Sequence, residues 1–190
     1  MTEVKVDPRI IRTRKLIMDA FMQLVMKKEF KDITIKDITT GATINRATFY
    51  YHFTDKYDLL DAVLTENLMT NVLSEIMEHD ELNKETLTQI FLSVTKFQTD
   101  LSNQCRRSFE AFTSTIEKKL KDALLGIFSN LLRDSYEIEE ELCHISAVML
   151  TWAIYGATID WQQNSQQSPE AYMELALPIL MKMYDHPIHF

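Results

Sequence analysis

Glycine and proline are scarce in this chain, with three Gly and four Pro in 190 residues. So few turn formers, and no sustained alternation of apolar and polar residues, exclude a strand-rich fold and favour an all-α one. Cysteine is nearly missing as well. Cys105 and Cys143 stand apart with no Cys-x-x-Cys pairing, which argues against a disulfide scaffold or a cysteine-based zinc site and reads both as free core thiols. There is no Gly-rich phosphate loop, nucleophile elbow or His-Glu zinc helix, so no enzyme signature is present and no cofactor is expected. His186-x-x-His189 lies beyond Pro187 in a terminal segment, and His79 and His144 are isolated; no metal site is expected. The first twenty residues carry Lys5, Arg9, Arg12, Arg14 and Lys15 without an uninterrupted apolar core, so no secretory signal is read and a cytoplasmic protein is expected.

What the chain does contain is apolar and unevenly charged. Its 46% hydrophobic content suffices for a core without staples. The net charge is −8, but residues 1–60 hold eleven Lys and Arg against eight Asp and Glu, a net +3, while residues 61–190 hold nine against twenty, a net −11. A polyanion would be drawn to the amino-terminal end and repelled by the remainder, although charge asymmetry of this size also occurs on ordinary solvated helices.

Start and stop signals divide the chain into about nine helices. Asp7-Pro8 opens the first, with Ile10, Ile17, Ala20, Phe21, Leu24 and Val25 on one stripe. Two short helices are expected near 35–41 and 46–52, led by Thr34 with Asp37 three residues on and by Asn45. A fourth follows Thr54-Asp55 and runs to about Glu78. Others are expected near 85–101, 105–116, 118–134, 139–163 and 168–184, with breaks at Ser102-Asn103, Glu117, Ser135-Tyr136 and Asn164 to Ser168. The acidic run Glu137, Glu139, Glu140 and Glu141 suits the start of a helix better than a catalytic role. The expected division is a helix-turn-helix domain over 1–55 and a helical domain over 56–190.

Residues 34–60 describe two short helices joined by a tight turn and followed by a capped third, which is a helix-turn-helix. At about 100° per residue, Phe49 and Phe53 fall on one side of the second of these helices, and Ala47 and Tyr51 fall opposite. The Phe pair belongs to the core, joined by Ile35, Ile38, Ala42 and Ile44. Thr48, Tyr50, Tyr51 and His52 ring the other side, where exposed aromatics need a partner, or else pack against the following helix. Arg46 and Thr48 sit where a recognition helix makes base contacts, and Lys56 in the next helix is placed to hold a phosphate.

The segment Ile35-x-x-Ile38-x-x-x-Ala42-x-Ile44-Asn45-Arg46-x-Thr48-Phe49-Tyr50-Tyr51-His52-Phe53-x-x-Lys56-x-x-Leu59 resembles the DNA-binding signature of the TetR family of bacterial transcriptional regulators. The resemblance spans about fifty residues with the first helix included, and fades after about Leu64. It implies a three-helix DNA-binding unit in which Lys36, Asn45, Arg46, Ala47, Thr48, Tyr50, Tyr51, His52 and Lys56 meet double-stranded DNA. Two departures stand out. Thr43 occupies the turn position where the family places a small residue, with Gly41 two residues earlier, and the residues at Arg46 and Ala47 vary within the family, which leaves base preference open.

Beyond Leu64 only physics applies. Residues 145–159 carry no charge, so their helix is buried on nearly every side. Fifteen uncharged residues are too few for a membrane span, and Ser146, Thr151 and Gly156 weaken that reading further; no membrane partner is expected. The helix is expected to pack its own core on one face and a second chain on the other. Ala153, Gly156 and Ala157 permit close approach, and Leu175, Ile179 and Met183 lie on the last helix, which Pro178 bends. The resemblance implies the same: a homodimer through the last two helices, and hence a palindromic operator. It also implies an unknown small-molecule effector. Phe97, Phe109, Phe112, Phe128, Trp152 and Tyr155 are candidate pocket residues, though aromatics at this spacing equally fill cores. A ligand-responsive homodimeric repressor is the function implied, with a TetR-like activator or co-activator working through a partner protein as the alternative.

Overall fold

The computed structural model describes residues 7–73, 76, 81–136 and 139–182. Among them are eight α-helices and no strand: α1 (Pro8–Val25), α2 (Ile35–Gly41), α3 (Arg46–His52), α4 (Lys56–Leu68), α5 (Lys84–Gln104), α6 (Phe109–Ser135), α7 (Glu140–Asn164) and α8 (Pro169–Lys182). A 3-10 turn at Phe30–Asp32 precedes α2, and a π-helical turn at Met69–Leu73 follows α4. The all-α architecture expected from turn scarcity is the one observed.

The helix starts follow from local chemistry. Asp7 accepts from the amide of Arg9 at 2.9 Å, with Pro8 at the first helical position. Thr34 and Asp37 form a reciprocal capping box: the Asp37 amide donates to Thr34 Oγ1 at 3.2 Å, and the Thr34 amide donates to Asp37 Oδ2 at 2.9 Å. The Thr34 amide and the Thr34 hydroxyl, which donates to Asp37 Oδ2 at 2.8 Å, hold the Asp37 carboxyl down at about 2, with Lys28 3.2 Å away adding to them. Asn45 Oδ1 accepts from the Thr48 amide at 2.8 Å, and Asp55 Oδ1 accepts from the amides of Tyr57 and Asp58 at 2.7 and 2.9 Å. Ser168 caps α8 through the Ala171 amide at 3.2 Å.

One expected boundary is absent. The helices read at 105–116 and 118–134 are a single helix, α6, because Glu117 does not end a helix: it pairs with Lys121 one turn on, at 2.7 Å. The fourth helix, expected to reach Glu78, gives way to the π-helical turn after Leu68, and most of the stretch between Leu73 and Glu78 lies outside the described residues.

Two compact units result: residues 1–66 with 101–115, and residues 67–100 with 116–190. The first holds more than a linear cut at residue 55 contains, namely most of α4 and a segment around Cys105. Its core joins Ile17, Phe21 and Val25 of α1 to Ile38, Phe49, Phe53 and Leu59, all buried. Phe30 gathers the rings of Phe21 (6.1 Å), Tyr57 (5.2 Å) and Phe112 (5.2 Å) edge-on. Within the same unit, Ser108 Oγ donates to the carbonyl of Lys28 at 3.1 Å, and Cys105 is fully buried, which pushes its thiol up to about 11 and leaves it unreactive. The second unit is built on Phe91, Leu120, Leu124, Phe128, Leu150 and Ile154.

The α2–α3 turn carries a local strain. Thr43 has φ = 54°, the left-handed region that a β-branched residue avoids. Gly41 serves another purpose: a Cβ there would lie 3.4 Å from Cβ of Ala20, so its bareness lets α2 approach α1. Replacement Thr43→Gly is expected to raise unfolding stability by about 1 kcal/mol, the left-handed penalty less the added chain entropy. Urea titration checks this; a lower midpoint would show that the turn is unstrained.

Candidate nucleic-acid interface

The second helix of the helix-turn-helix, α3, is seven residues long and sits in the first unit with one side fully committed. Phe49 and Phe53 are buried, their rings 5.9 Å apart, and the Arg14 guanidinium lies 4.4 Å over Phe53. Arg14 Nη1 also donates to the carbonyl of His52 at 3.4 Å, near the limit for such a bond. Arg14 therefore steadies the carboxyl-terminal end of α3. No short-range signal pointed to this contact, which spans 38 positions.

Burying the two phenylalanines turns the opposite side outward. Arg46 and Ala47 are exposed, Tyr50 is 57% exposed and Tyr51 70%. These four recur at helical spacing, so they share one face. Lys36 on α2 and Asn45 at the start of α3 are exposed as well. Thr48 is half-buried and its hydroxyl donates to Asn45 Oδ1 at 3.0 Å, which orders both side chains at the amino-terminal end of α3. His52 is half-buried beside Tyr51, the rings 5.1 Å apart and edge-on. Such a surface of two phenols and a guanidinium can donate to phosphate oxygens and base edges and pack on thymine methyls, while the Thr48 hydroxyl, its proton given to Asn45, is left to accept.

Lys56 departs from this surface. Its ammonium turns into the unit and donates to the carbonyls of Phe30, Ile33 and Lys31 at 2.8, 3.0 and 3.2 Å.

The remaining candidate residues lie elsewhere. Phe109 and Phe112 belong to the first unit, where Phe112 packs on Phe30. Phe97 and Phe128 are buried in the second unit, and Tyr155 is nearly so. Trp152 is 55% exposed, with Lys121 Nζ 4.1 Å over its ring. The six are thus divided between two units. Of the expected interface residues, Ala153, Gly156, Ala157 and Ile179 line one open cleft of about 280 Å³ between α7 and α8, with Leu175 and Ile179 exposed at 67% and 68%. Met183 lies outside the described residues. Ile145, Met149 and Trp152 extend the same apolar stripe along α7, spaced four and three residues apart; the uncharged run pointed to them, and only the buried face of α7 shows which side they take.

At 25 residues α7 is long and apolar enough to cross a membrane, so the shortness of its uncharged run does not by itself exclude a span. In the structure one side of it, from Cys143 to Thr158, packs into the core of the second unit, and Thr151 and Thr158 satisfy their hydroxyls on the helix's own carbonyls at 2.8 and 3.0 Å.

Residues 17–63 match the family model described as bacterial regulatory proteins, tetR family. Over that segment the chain is similar to the TetR family. The match supports DNA binding for the helix-turn-helix segment that it covers. Two Bacillus subtilis (strain 168) proteins, both named uncharacterized HTH-type transcriptional regulators, are similar to it. YxbF is 37% identical over 78 residues, or 40% of this chain and 19% of that protein, and YvkB is 38% identical over 55 residues, or 29% of each. The matched parts therefore span less than a third of either relative. The fold extends further: the fatty acid degradation regulator FadR from Bacillus halodurans superposes with a TM-score of 0.58 at 19% identity, over 96% of this chain and 99% of that one. In this chain the matched segment contains α2, α3 and the exposed tyrosines, and ends within α4.

One titration follows from the packing of α3. Burial, and secondarily the charge of Arg14, push His52 below its ordinary value of 6.5. The folded state thus favours the neutral ring, so the contribution of His52 to stability is complete above pH 6.5 and is lost as pH falls through the lowered value. A histidine NMR titration is expected to place His52 below 6.5, and Arg14→Gln to raise it only part of the way, because burial is the larger cause. Full restoration in that variant would make the guanidinium the dominant cause instead.

Proposed function

We propose that this protein is a homodimeric, ligand-responsive transcriptional repressor that reads a palindromic operator with α3. The observation that carries the reading is the outward face of that helix: Tyr50 and Tyr51 stand exposed beside Arg46 and Ala47, while Phe49 and Phe53 behind them are buried. A soluble monomer gains nothing from presenting two phenols and a guanidinium on one turn, whereas a major groove offers partners to each. Lys36, Asn45, Thr48 and His52 flank the face and supply the remaining contacts. The net positive charge of residues 1–60 supports the approach of DNA to this end.

The dimer is supported by the apolar stripe on α7 and α8. Ile145, Met149, Trp152, Leu175 and Ile179 are exposed, and the small residues Ala153, Gly156 and Ala157 between them admit a helix of a second copy. An isologous contact of this kind requires a two-fold axis, and two α3 helices so related read a palindrome. Responsiveness to a ligand is supported within the second unit. There the hydroxyl of Thr95 is buried without a protein partner, on the wall of a cleft of about 320 Å³ that Lys96, Trp161 and Glu170 also line. An unsatisfied buried hydroxyl costs about 1–3 kcal/mol, which a polar effector atom would recover. The location expected is the cytoplasm, where an operator is accessible.

Gel-shift titration against the intergenic DNA beside its own gene tests the reading. A salt-sensitive specific complex is expected, weakened about tenfold or more by Arg46→Ala and by Tyr51→Ala with the fold retained. Normal binding by both variants would remove α3 from the interface. Transcription from the bound promoter separates repression from the activator alternative, since the DNA contacts are the same in each. Sedimentation of Ile179→Glu tests the dimer. Its dissociation constant is expected to rise by about two orders of magnitude, because a buried unpaired carboxylate costs several kcal/mol. An unchanged dimer would place the interface on another surface.

A further inference from the structure

Lys56 opens α4, and its side chain is drawn into the amino-terminal unit. Three carbonyl oxygens converge on Nζ, from Phe30 at 2.8 Å, Ile33 at 3.0 Å and Lys31 at 3.2 Å. An ammonium has three donors and no more, so this is its full hydrogen-bonding capacity. The cation also stands 4.6 Å over the Phe30 ring, whose edges meet Phe21, Tyr57 and Phe112. The carbonyls come from the turn that carries the chain from α1 into α2. In sequence they lie 23 to 26 positions from Lys56. The Phe30 carbonyl also accepts from the Ile33 amide at 3.2 Å, closing the 3-10 turn, so the ammonium binds a turn already held by its own hydrogen bond.

We propose that Lys56 is a positioning residue for DNA recognition: its ammonium ties the start of α4 to the 30–33 turn and thereby fixes how α2 and α3 are presented, instead of gripping a phosphate. A compact point charge is what three convergent carbonyl dipoles require. Arginine, planar and forked, keeps the charge but cannot place three N–H groups at one centre. The two roles therefore diverge under conservative replacement. A phosphate contact tolerates Lys56→Arg and loses about 0.9 of salt slope in Lys56→Met. A carbonyl clamp is broken by both, and the slope stays as it was, because no counterion is displaced at Lys56.

The role rests on the DNA-binding reading, but half of its test does not. In the full chain, hydrogen exchange of the amides at 30–38 and 56–60 is compared among wild type, Lys56→Met and Lys56→Arg. A loss of protection of about tenfold or more in both variants is expected, from the loss of charge-assisted hydrogen bonds. Binding to a palindromic duplex selected by the wild-type protein from a random pool is then measured against salt, at a temperature where circular dichroism shows all three folded. Both variants are expected to bind about tenfold more weakly with an unchanged slope. Wild-type affinity in Lys56→Arg, together with a reduced slope in Lys56→Met, would overturn the proposal in favour of a phosphate contact. Unaltered exchange in both variants would overturn the clamp itself. Should the wild type bind no duplex at all, the DNA-binding reading fails, the positioning role fails with it, and the exchange result still decides the clamp.

Discussion

Burial of Phe49 is the constraint on which the amino-terminal unit depends. A helix of seven residues has no stability of its own, since nucleation costs more than two turns return. α3 exists because Phe49, fully buried, and Phe53 at its end are taken up by the core that α1 and α2 provide. That burial also fixes the rotation of α3 about its axis. With Phe49 inward, Tyr50 and Tyr51 have no choice but to point out, and the exposed face is a geometric consequence of the buried one. The caps at Asn45 and Asp55 set where α3 begins and where α4 takes over, so the exposed face has both a fixed rotation and a fixed length.

The legible part of the sequence is the local part. Thr34 with Asp37, Asn45 with Thr48 and Ser168 before Pro169 act within three or four residues, and each starts a helix at the expected place. The rotation of α3 is legible for the same reason, because two phenylalanines four residues apart fix it. The single helix α6 is not. Glu117 reads as a break for its polarity, yet a glutamate one turn before a lysine strengthens an exposed helix. The place of the Lys56 ammonium is illegible for a different reason. Its charge and its place in the first turn of α4 suit a phosphate, and only the tertiary convergence of three distant carbonyls shows where the ammonium goes. The association of residues 101–115 with the amino-terminal unit is likewise non-local, resting on contacts such as Ser108 with Lys28, eighty positions apart.

α7 shows how a helix uncharged over its central fifteen residues, 145–159, can still have two different sides. Composition alone makes it apolar all round, and it carries almost no amphipathic signal. The structure nonetheless sorts it: Cys143, Ala147, Leu150, Ile154 and Thr158 go inward, while Ile145, Met149, Trp152 and Gly156 stay out. Hydrophobicity therefore cannot be what tells the sides apart. Contacts from flanking elements do so: Lys121 lies against Trp152, and the Tyr172 hydroxyl donates to Asp160 at 2.8 Å, joining the carboxyl-terminal end of α7 to α8.

Charge and apolar surface then divide the work of recognition between them. The stripe on α7 and α8 offers burial but no direction, so association there is strong only where shape excludes water. The −11 charge of residues 61–190 makes the same part of the chain a poor companion for a polyanion, and this excludes DNA from a surface that would otherwise bind indiscriminately. At the other end the net excess is only +3, which draws a duplex in weakly from a distance. On the proposed reading, affinity at α3 rests on fitted contacts of its tyrosines and Arg46, which is the condition under which a small error in the placing of α3 matters. A rigid tie of the kind proposed for Lys56 would have its effect there: where long-range attraction is weak, the geometry of a reading helix has to be right before contact is made.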